Sequence, residues 1–264
     1  MRLQDNYKDK YQELSTLGFN IESNLYINQN LLYKIYKPGI DLHAKEKIVN
    51  KLMSLYHIDN CILPKEKIYI EDNFSGIVLD YKKGYNNLAD VYKKFGFEQA
   101  LNMGKQLSMT LKQIHQVGLV IGDIHGDNII TNYTQSYFCD LDGIKICETN
   151  DEIKSLYTIM YNDCSPEILD NKSTDNIKLL IYILSAIYKY DFEYLLKNKG
   201  TEYMQKLVQN LELDNSIKYI MMEIFNIGSE QIYFHEYYDK FYNCQDGIEF
   251  DKRRITNKVK ILLY

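Results

Sequence analysis

Residues 114–143 read IHQVGLVIGDIHGDNIITNYTQSYFCDLDG. Apolar runs bracket a polar centre that holds Asp123, His125, Asp127 and Asn128, and Asp140 and Asp142 follow the run SYFC. Asp123 and Asn128 lie five residues apart in what reads as a loop closing a long helix, and Asp140 comes twelve residues after Asn128. A hairpin of short strands over 128–131 and 136–141 would return Asn128 and Asp140 to one edge. Together they would supply two hard oxygen ligands, a set that suits Mg2+, which is held by few carboxylates together with substrate phosphates. Asp123 would stand free beside them to receive a proton from an attacking hydroxyl. Asp142, beyond the strand, is the second choice for the metal ligand.

Upstream, ESNLYINQNLLYKIYKP alternates apolar and polar positions, with Asn-Gln-Asn as a hairpin turn and Pro38-Gly39 as the stop. DLHAKEKIVNKLMSLYH (41–57) sets Ile48, Leu52 and Leu55 on a helical stripe with Asp41 as N-cap. KIYIED (67–72) and GIVLDY (76–81) read as two further strands. After the turn-rich KKGYNN (82–87), almost everything reads as helix. FEQALNMGKQLSMTLKQIHQVG (97–118) carries Leu101, Leu107, Leu111 and Ile114 at helical spacing and ends on a glycine. A long loop is expected over about 143–174, then helices to the C-terminus. The fold class expected is α+β: a small sheet-containing lobe over 1–81, a hinge at 82–86, and a larger helical lobe over 87–264.

Composition narrows the function classes. The net charge of −5 and the lack of a basic stripe argue against nucleic-acid binding. The longest apolar stretch, Leu179–Tyr188, is too short to span a bilayer and reads as a buried helix. The opening MRLQDNYKDKYQEL lacks the apolar run of a signal peptide. Five cysteines, odd in number, widely spaced and without C-x-x-C, suggest reduced thiols rather than a zinc site or disulfide framework. No membrane partner is therefore expected, and a cytoplasmic location is.

The catalytic stretch resembles protein kinases. IHQVGLVIGDIHGDNII is similar to their helix end and catalytic loop, written L-H-x-x-G-I-I-H-R-D-L-K-P-x-N-I, and DLDG (140–143) falls where they carry Asp-Phe-Gly. SPEIL (165–169) resembles the A/S-P-E motif, and Asp175 then opens DNIKLLIYIL, much like D-x-W-S-L-G-x-x-L. These last two favour the protein-kinase branch over aminoglycoside phosphotransferases, which share the loop but lack that segment. The resemblance covers roughly residues 14–190. It implies a bilobal fold using ATP and Mg2+ on a protein serine or threonine. Asp123 would be the base, Asn128 and Asp140 the Mg2+ ligands, and Lys34 in LLYKIY the lysine gripping the α- and β-phosphates. Glu46 would be the ion-pair partner of Lys34, and His125 a donor to the γ-phosphate.

Bland alternatives stand beside these assignments. Lys37 lies close to Lys34, and many strand lysines are simply solvated. A glutamate on a helix, like Glu46, usually faces solvent. His115 reads as structural, and the tyrosine-rich QIYFHEYYDKFYN (231–243) as a helix packing its rings into the core rather than a recognition surface. Glu167 would pair with Arg253 or Arg254, and Ser155, Tyr157, Thr158 and Tyr161 are hydroxyls of the expected activation loop.

The departures from the family pattern are specific. There is no glycine-rich loop: only Gly18 precedes Lys34, with Ser23 and Asn24 in its place. Ile121-Gly122 replaces His-Arg, so activity would not need activation-loop phosphorylation. Ile-Gly-Asp and His125 lean toward small-molecule kinases of the aminoglycoside or choline type, for which an acidic acceptor pocket would speak. A pseudokinase that binds nucleotide without turnover is the third reading, opposed by the presence of Lys34, Asp123, Asn128 and Asp140.

Overall fold

The structure is a computed structural model that describes residues 12–13, 22–55, 57–146, 171–226 and 232–247. Its N-terminal part is a five-stranded antiparallel sheet built from β1 (Gln12–Glu13), β2 (Ser23–Asn28), β3 (Leu31–Tyr36), β4 (Glu66–Ile70) and β5 (Asn73–Asp80) in the order β1-β2-β3-β5-β4. One helix, α1 (Leu42–Met53), lies between β3 and β4, and the Asp41 carboxylate caps it by accepting the Ala44 N–H at 3.0 Å. The β2–β3 turn falls at Gln29-Asn30, within the expected Asn-Gln-Asn.

The period-2 alternation of a strand sorts these side chains onto two faces. Tyr33 and Ile35 of β3 bury with Tyr26, Ile68 and Val78 on one face. Tyr36 buries on the other with Ile77, Leu79, Phe74 and Val49 of α1. Lys34 has the parity of Tyr36, so the strand itself turns this lysine toward the helix side. Gly76 makes the close approach here possible. A Cβ at that position would lie 2.2 Å from the Lys34 carbonyl oxygen, a contact no side chain tolerates without moving the backbone.

Residues 82–86, the expected hinge, turn the chain into β6 (Asn86–Asn87) and the short helix α2 (Leu88–Val91). Then comes α3 (Phe97–Gln116), twenty residues long. Short strands follow: β7 (Leu119–Val120), β8 (Ile129–Thr131), β9 (Ser136–Phe138) and β10 (Lys145–Ile146). β8 pairs with β6 and β9, whereas β10 returns to pair with β7. The long loop expected from 143 therefore starts with a strand. Residues 60–62 clip β9 from its other side, the Phe138 N–H reaching Asn60 O and the Ile62 N–H reaching Phe138 O, both at 2.9 Å.

Among the described residues beyond β10 the chain is mainly helical: α4 (Lys172–Tyr188), α5 (Phe192–Gln209), α6 (Asn215–Ile224) and α7 (Tyr238–Tyr242). From Leu179 through Tyr188 every residue of α4 is buried, which is why LLIYILSAIY reads as apolar all round. Asp175 does not open this helix. Asn171 caps it, accepting from Thr174 N–H while its own N–H donates to Thr174 Oγ1, both at 2.9 Å. Asp175 thus lies one turn inside and is fully buried. The tyrosine-rich run packs on α3 only in part. Tyr233, Phe234 and Phe241 are buried, while the Tyr238 and Tyr242 hydroxyls donate at the surface to Asn102 and Glu98. Among the described residues no helix is long and apolar enough to cross a membrane.

Candidate active site

Two buried side chains fix the loop that carries Asp123. The Asp175 carboxylate accepts the Ile121 N–H at 2.8 Å and the Gly122 N–H at 2.9 Å, and the His115 ring lies 3.0 Å from its Oδ2. The other nitrogen of His115 is 2.9 Å from the Tyr233 hydroxyl. An Nε2–H tautomer serves both contacts, donating to Asp175 and accepting from Tyr233. The hydrogen bonds satisfy a buried polar group that would otherwise be costly to enclose. Gly122 takes φ +73°, a backbone state that glycine adopts without strain, and its carbonyl accepts from Lys178. His115 is thus structural, and it does its work through the loop.

Asp123 emerges from this anchor with its side chain 39% exposed. Its Oδ2 accepts from Asn128 Nδ2 at 3.2 Å, and the same amide donates to the Asp123 carbonyl at 3.0 Å. Its Oδ1 is buried and has no hydrogen-bond partner among the described residues. A buried acceptor oxygen without a partner is uncommon in a folded chain. His125 stands alongside. Its Nδ1 accepts the Asp127 N–H at 3.3 Å, and its Nε2 lies 3.6 Å from Asp123 Oδ2.

Asn128 and Asp140 are brought to one edge by the β8–β9 hairpin, in which Ile129 faces Phe138 and the Cys139 N–H donates to the Asn128 carbonyl at 3.0 Å. The Asn128 amide is turned to Asp123, which leaves its Oδ1 for a cation. Asp140 follows in the left-handed conformation (φ 60°, ψ 41°), uncommon outside glycine, and its side chain is 51% exposed. One amide oxygen and one half-exposed carboxylate fit Mg2+ held jointly with phosphates. They do not make an all-protein cage, and among the described residues no group of three or more His, Cys, Asp or Glu is arranged to hold a metal.

Lys34 meets this edge from β3. Its amine donates to Asp140 Oδ1 and, at 2.6 Å, to Asp142 Oδ1. Asp142 is the more enclosed of the two, only 2% exposed. Its Oδ2 accepts from the Tyr36 hydroxyl at 2.7 Å and lies 3.7 Å from the Lys45 amine. Leu52, Ile62, Ile77 and Leu79 line a small crevice behind the pair of aspartates. Burial alone would lower the Lys34 amine, but the two carboxylates outweigh it and hold it above the usual lysine range. Desolvation on the side facing Lys34 pushes Asp140 up, opposed by Lys34 and aided by the charge of Asp142, while its other side stays open to solvent. Asp142 goes down despite its burial because Lys34 and Lys45 both face it.

Glu46 is a correction. It does not meet Lys34: its carboxylate accepts from Lys67 at 2.7 Å and from the Tyr69 hydroxyl at 3.1 Å, both on β4. Helix geometry explains the exchange. Lys45, Val49 and Leu52 form one stripe at i, i+4, i+7, with Val49 and Leu52 buried, so Lys45 is the residue aimed at Asp142. Glu46 is turned about 100° away, toward β4. Ser23 and Asn24 are likewise not part of a loop over phosphates; they lie in β2 opposite Tyr36 and Ile35. The sequence reading assigns no role to Tyr36 or Lys45, and it does not place Asp142 beside Lys34 or Asp175 beneath the Asp123 loop. The parity of Tyr36 with Lys34, and the i, i+4 spacing of Lys45 and Val49, carried signals for two of them.

SPEIL, Cys147, Cys164, Arg253, Arg254, Gly18 and the hydroxyl residues Ser155, Tyr157, Thr158 and Tyr161 lie outside the described residues. No protein-family model matches the chain, and no curated protein matches it.

Proposed function

We propose that the chain is a phosphotransferase of protein-kinase type that moves the γ-phosphate of ATP to a protein serine or threonine hydroxyl. The observation that carries this is the convergence of Lys34, Asp123, Asn128 and Asp140 on one edge, from a strand, a loop and a hairpin more than a hundred residues apart in the case of Lys34 and Asp140. The sheet order with its single helix after β3, and the helical remainder, support a bilobal reading with lobes 1–81 and 87–264 about a hinge at 82–86. The free cysteines Cys61, Cys139 and Cys244 support a reducing, cytoplasmic setting.

In this reading Asn128 and Asp140 would hold Mg2+, which would neutralise charge on the phosphates of ATP. Lys34 binds the α- and β-phosphates. Asp123 orients the acceptor hydroxyl and takes its proton on its half-exposed carboxylate. Asn128 steadies that carboxylate through Oδ2. The Nε2–H of His125 is close enough to the reaction centre to donate to a γ-phosphate oxygen. Catalysis is then a matter of positioning and electrostatics.

One observation favours a second reading. Asp127, 65% exposed, sits 3.7 Å from His125 and adds a carboxylate beside Asp123, which would suit a cationic small-molecule acceptor. Incubation of the full chain with Mg2+, γ-labelled ATP and candidate acceptor proteins, followed by mass spectrometry, separates the two. Label on serine or threonine supports the proposal. ATP turnover only with amine-bearing small alcohols supports the second reading, and nucleotide binding without any turnover makes the chain a pseudokinase.

A further inference from the structure

Lys34 has two carboxylate partners in unlike surroundings. Asp140 is half exposed, and the amine of Lys34 is its hydrogen-bond partner among the described residues. Asp142 is enclosed and bound on every side: Lys34 on Oδ1, Tyr36 on Oδ2, Lys45 at 3.7 Å from Oδ2 and at 3.3 Å from the Asp142 carbonyl. Lys45 is held in turn by Glu22 at 2.7 Å. The helix that would be expected to offer Lys34 a glutamate offers a lysine instead, and the carboxylate comes from the 3-10 turn Leu141–Gly143.

We infer that Asp142 is the positioning residue of Lys34, its resident counter-charge, and that Asp140 is the exchangeable partner, free to turn from the amine to a cation. Three features of the geometry carry this. Tyr36 and Lys34 alternate on β3 so that both reach the same carboxylate, which fixes the amine relative to the sheet. Removing one member of an enclosed ion pair strands the other, so Asp142 cannot leave without cost. Asp140 can, because solvent already reaches it. With both aspartates on Lys34 the group is net negative toward a phosphate, and turning Asp140 away leaves a neutral Lys34–Asp142 pair whose amine no longer has two carboxylates to satisfy.

The inference rests on Lys34 being the nucleotide lysine only for its functional meaning, and the test separates the two. The full chain, without nucleotide, is acylated briefly with acetic anhydride, and Lys34 modification is read by mass spectrometry against the half-exposed Lys65. Asp142→Asn should raise Lys34 acylation severalfold relative to Lys65, because the amine loses its enclosed partner. Asp142→Glu should restore most of the protection, and Glu46→Gln should leave it unchanged. If Asp142→Asn does not fold, Tyr36→Phe loosens the same carboxylate and should raise acylation in the same direction. Calorimetric ATP titration then reads the consequence. Asp142→Asn should weaken binding with Mg2+ present, whereas Asp140→Asn should strengthen binding of metal-free ATP. Lys34 acylation unchanged in the Asp142 variant, or raised by Glu46→Gln, overturns the assignment of Asp142. Metal-free ATP binding weakened by Asp140→Asn overturns the exchange. A wild-type chain that binds no ATP at all refutes the nucleotide reading, and the acylation result still judges Asp142.

Discussion

Asp175→Asn tests the anchor under the candidate catalytic loop, and its cost follows from counting donors. Three hydrogens converge on the carboxylate: Ile121 N–H and His115 on Oδ2, Gly122 N–H on Oδ1. An asparagine has one acceptor oxygen and one NH2. With its oxygen toward Ile121 and His115, the NH2 confronts the Gly122 N–H. With the amide reversed, it confronts the Ile121 N–H instead, and changing the His115 tautomer does not help. One buried backbone N–H is orphaned either way, at about 1–3 kcal/mol. The surviving bonds fall from charge-assisted to neutral, about 1 kcal/mol each. The sum is about 3–5 kcal/mol, a large part of the roughly 5–15 kcal/mol that holds a protein folded. At about 2 °C per kcal/mol for a chain of this size, the melting temperature should drop by about 6–10 °C. Because Ile121 and Gly122 precede Asp123 directly, loosening them should also cut turnover, by about 10²-fold for a displacement near 1 Å. ATP affinity should stay nearly constant, since Lys34 and Asp140 are not touched. Calorimetric melting and a paired measurement of kcat and KM read both effects. A variant that melts within about 1 °C of wild type and turns over normally would refute this account of the loop, since it would mean that no donor had been orphaned.

Other expectations follow from single contacts. Gly76→Ala should destabilise by at least about 1–3 kcal/mol, because its Cβ would strike the Lys34 carbonyl at 2.2 Å; unchanged denaturant melting would mean that β3 and β5 part freely. Asp142, whose folded pKa is lowered by Lys34 and Lys45 despite its burial, contributes stability that is present above its unfolded pKa near about 4 and lost as pH falls through the lower folded value. The melting gap between wild type and Asp142→Asn should therefore be wide at neutral pH and close in strong acid. Asp140 runs the other way. Its raised folded value means stability present below about pH 4 and lost as pH rises through the folded value, so Asp140→Asn should melt no lower than wild type at neutral pH and lose any advantage in acid. Equal pH profiles for the two variants would contradict their unlike surroundings.

Much of this architecture was readable from local pattern. The alternation in LLYKIY, the Asp41 cap and the stripe through α3 each obey a short-range rule, and the structure follows them to within a few residues. The hairpin that returns Asp140 to Asn128 was also legible, because β8 and β9 are adjacent in sequence. What failed is what depends on rotation about an axis or on distant partners. Glu46 and Lys45 are neighbours in sequence, and only the buried stripe of Val49 and Leu52 decides which of them faces Asp142. Asp175, read as opening its helix by resemblance to D-x-W-S-L-G-x-x-L, follows the Asn171 cap within the first turn. Its work is to hold backbone amides more than fifty residues away, which no local pattern records. That Asp142 is enclosed against Lys34 and Tyr36 depends on residues more than a hundred positions away, which position beyond the strand does not record.

The central claim is phosphoryl transfer with Asp123 as the base. The most direct test is the rate of γ-phosphate transfer with Mg2+ by Asp123→Asn beside wild type, with ATP affinity measured on the same samples. The account predicts unchanged melting and ATP binding with turnover reduced by roughly 10²–10⁴-fold. A variant that binds ATP and transfers phosphate at the wild-type rate would contradict it.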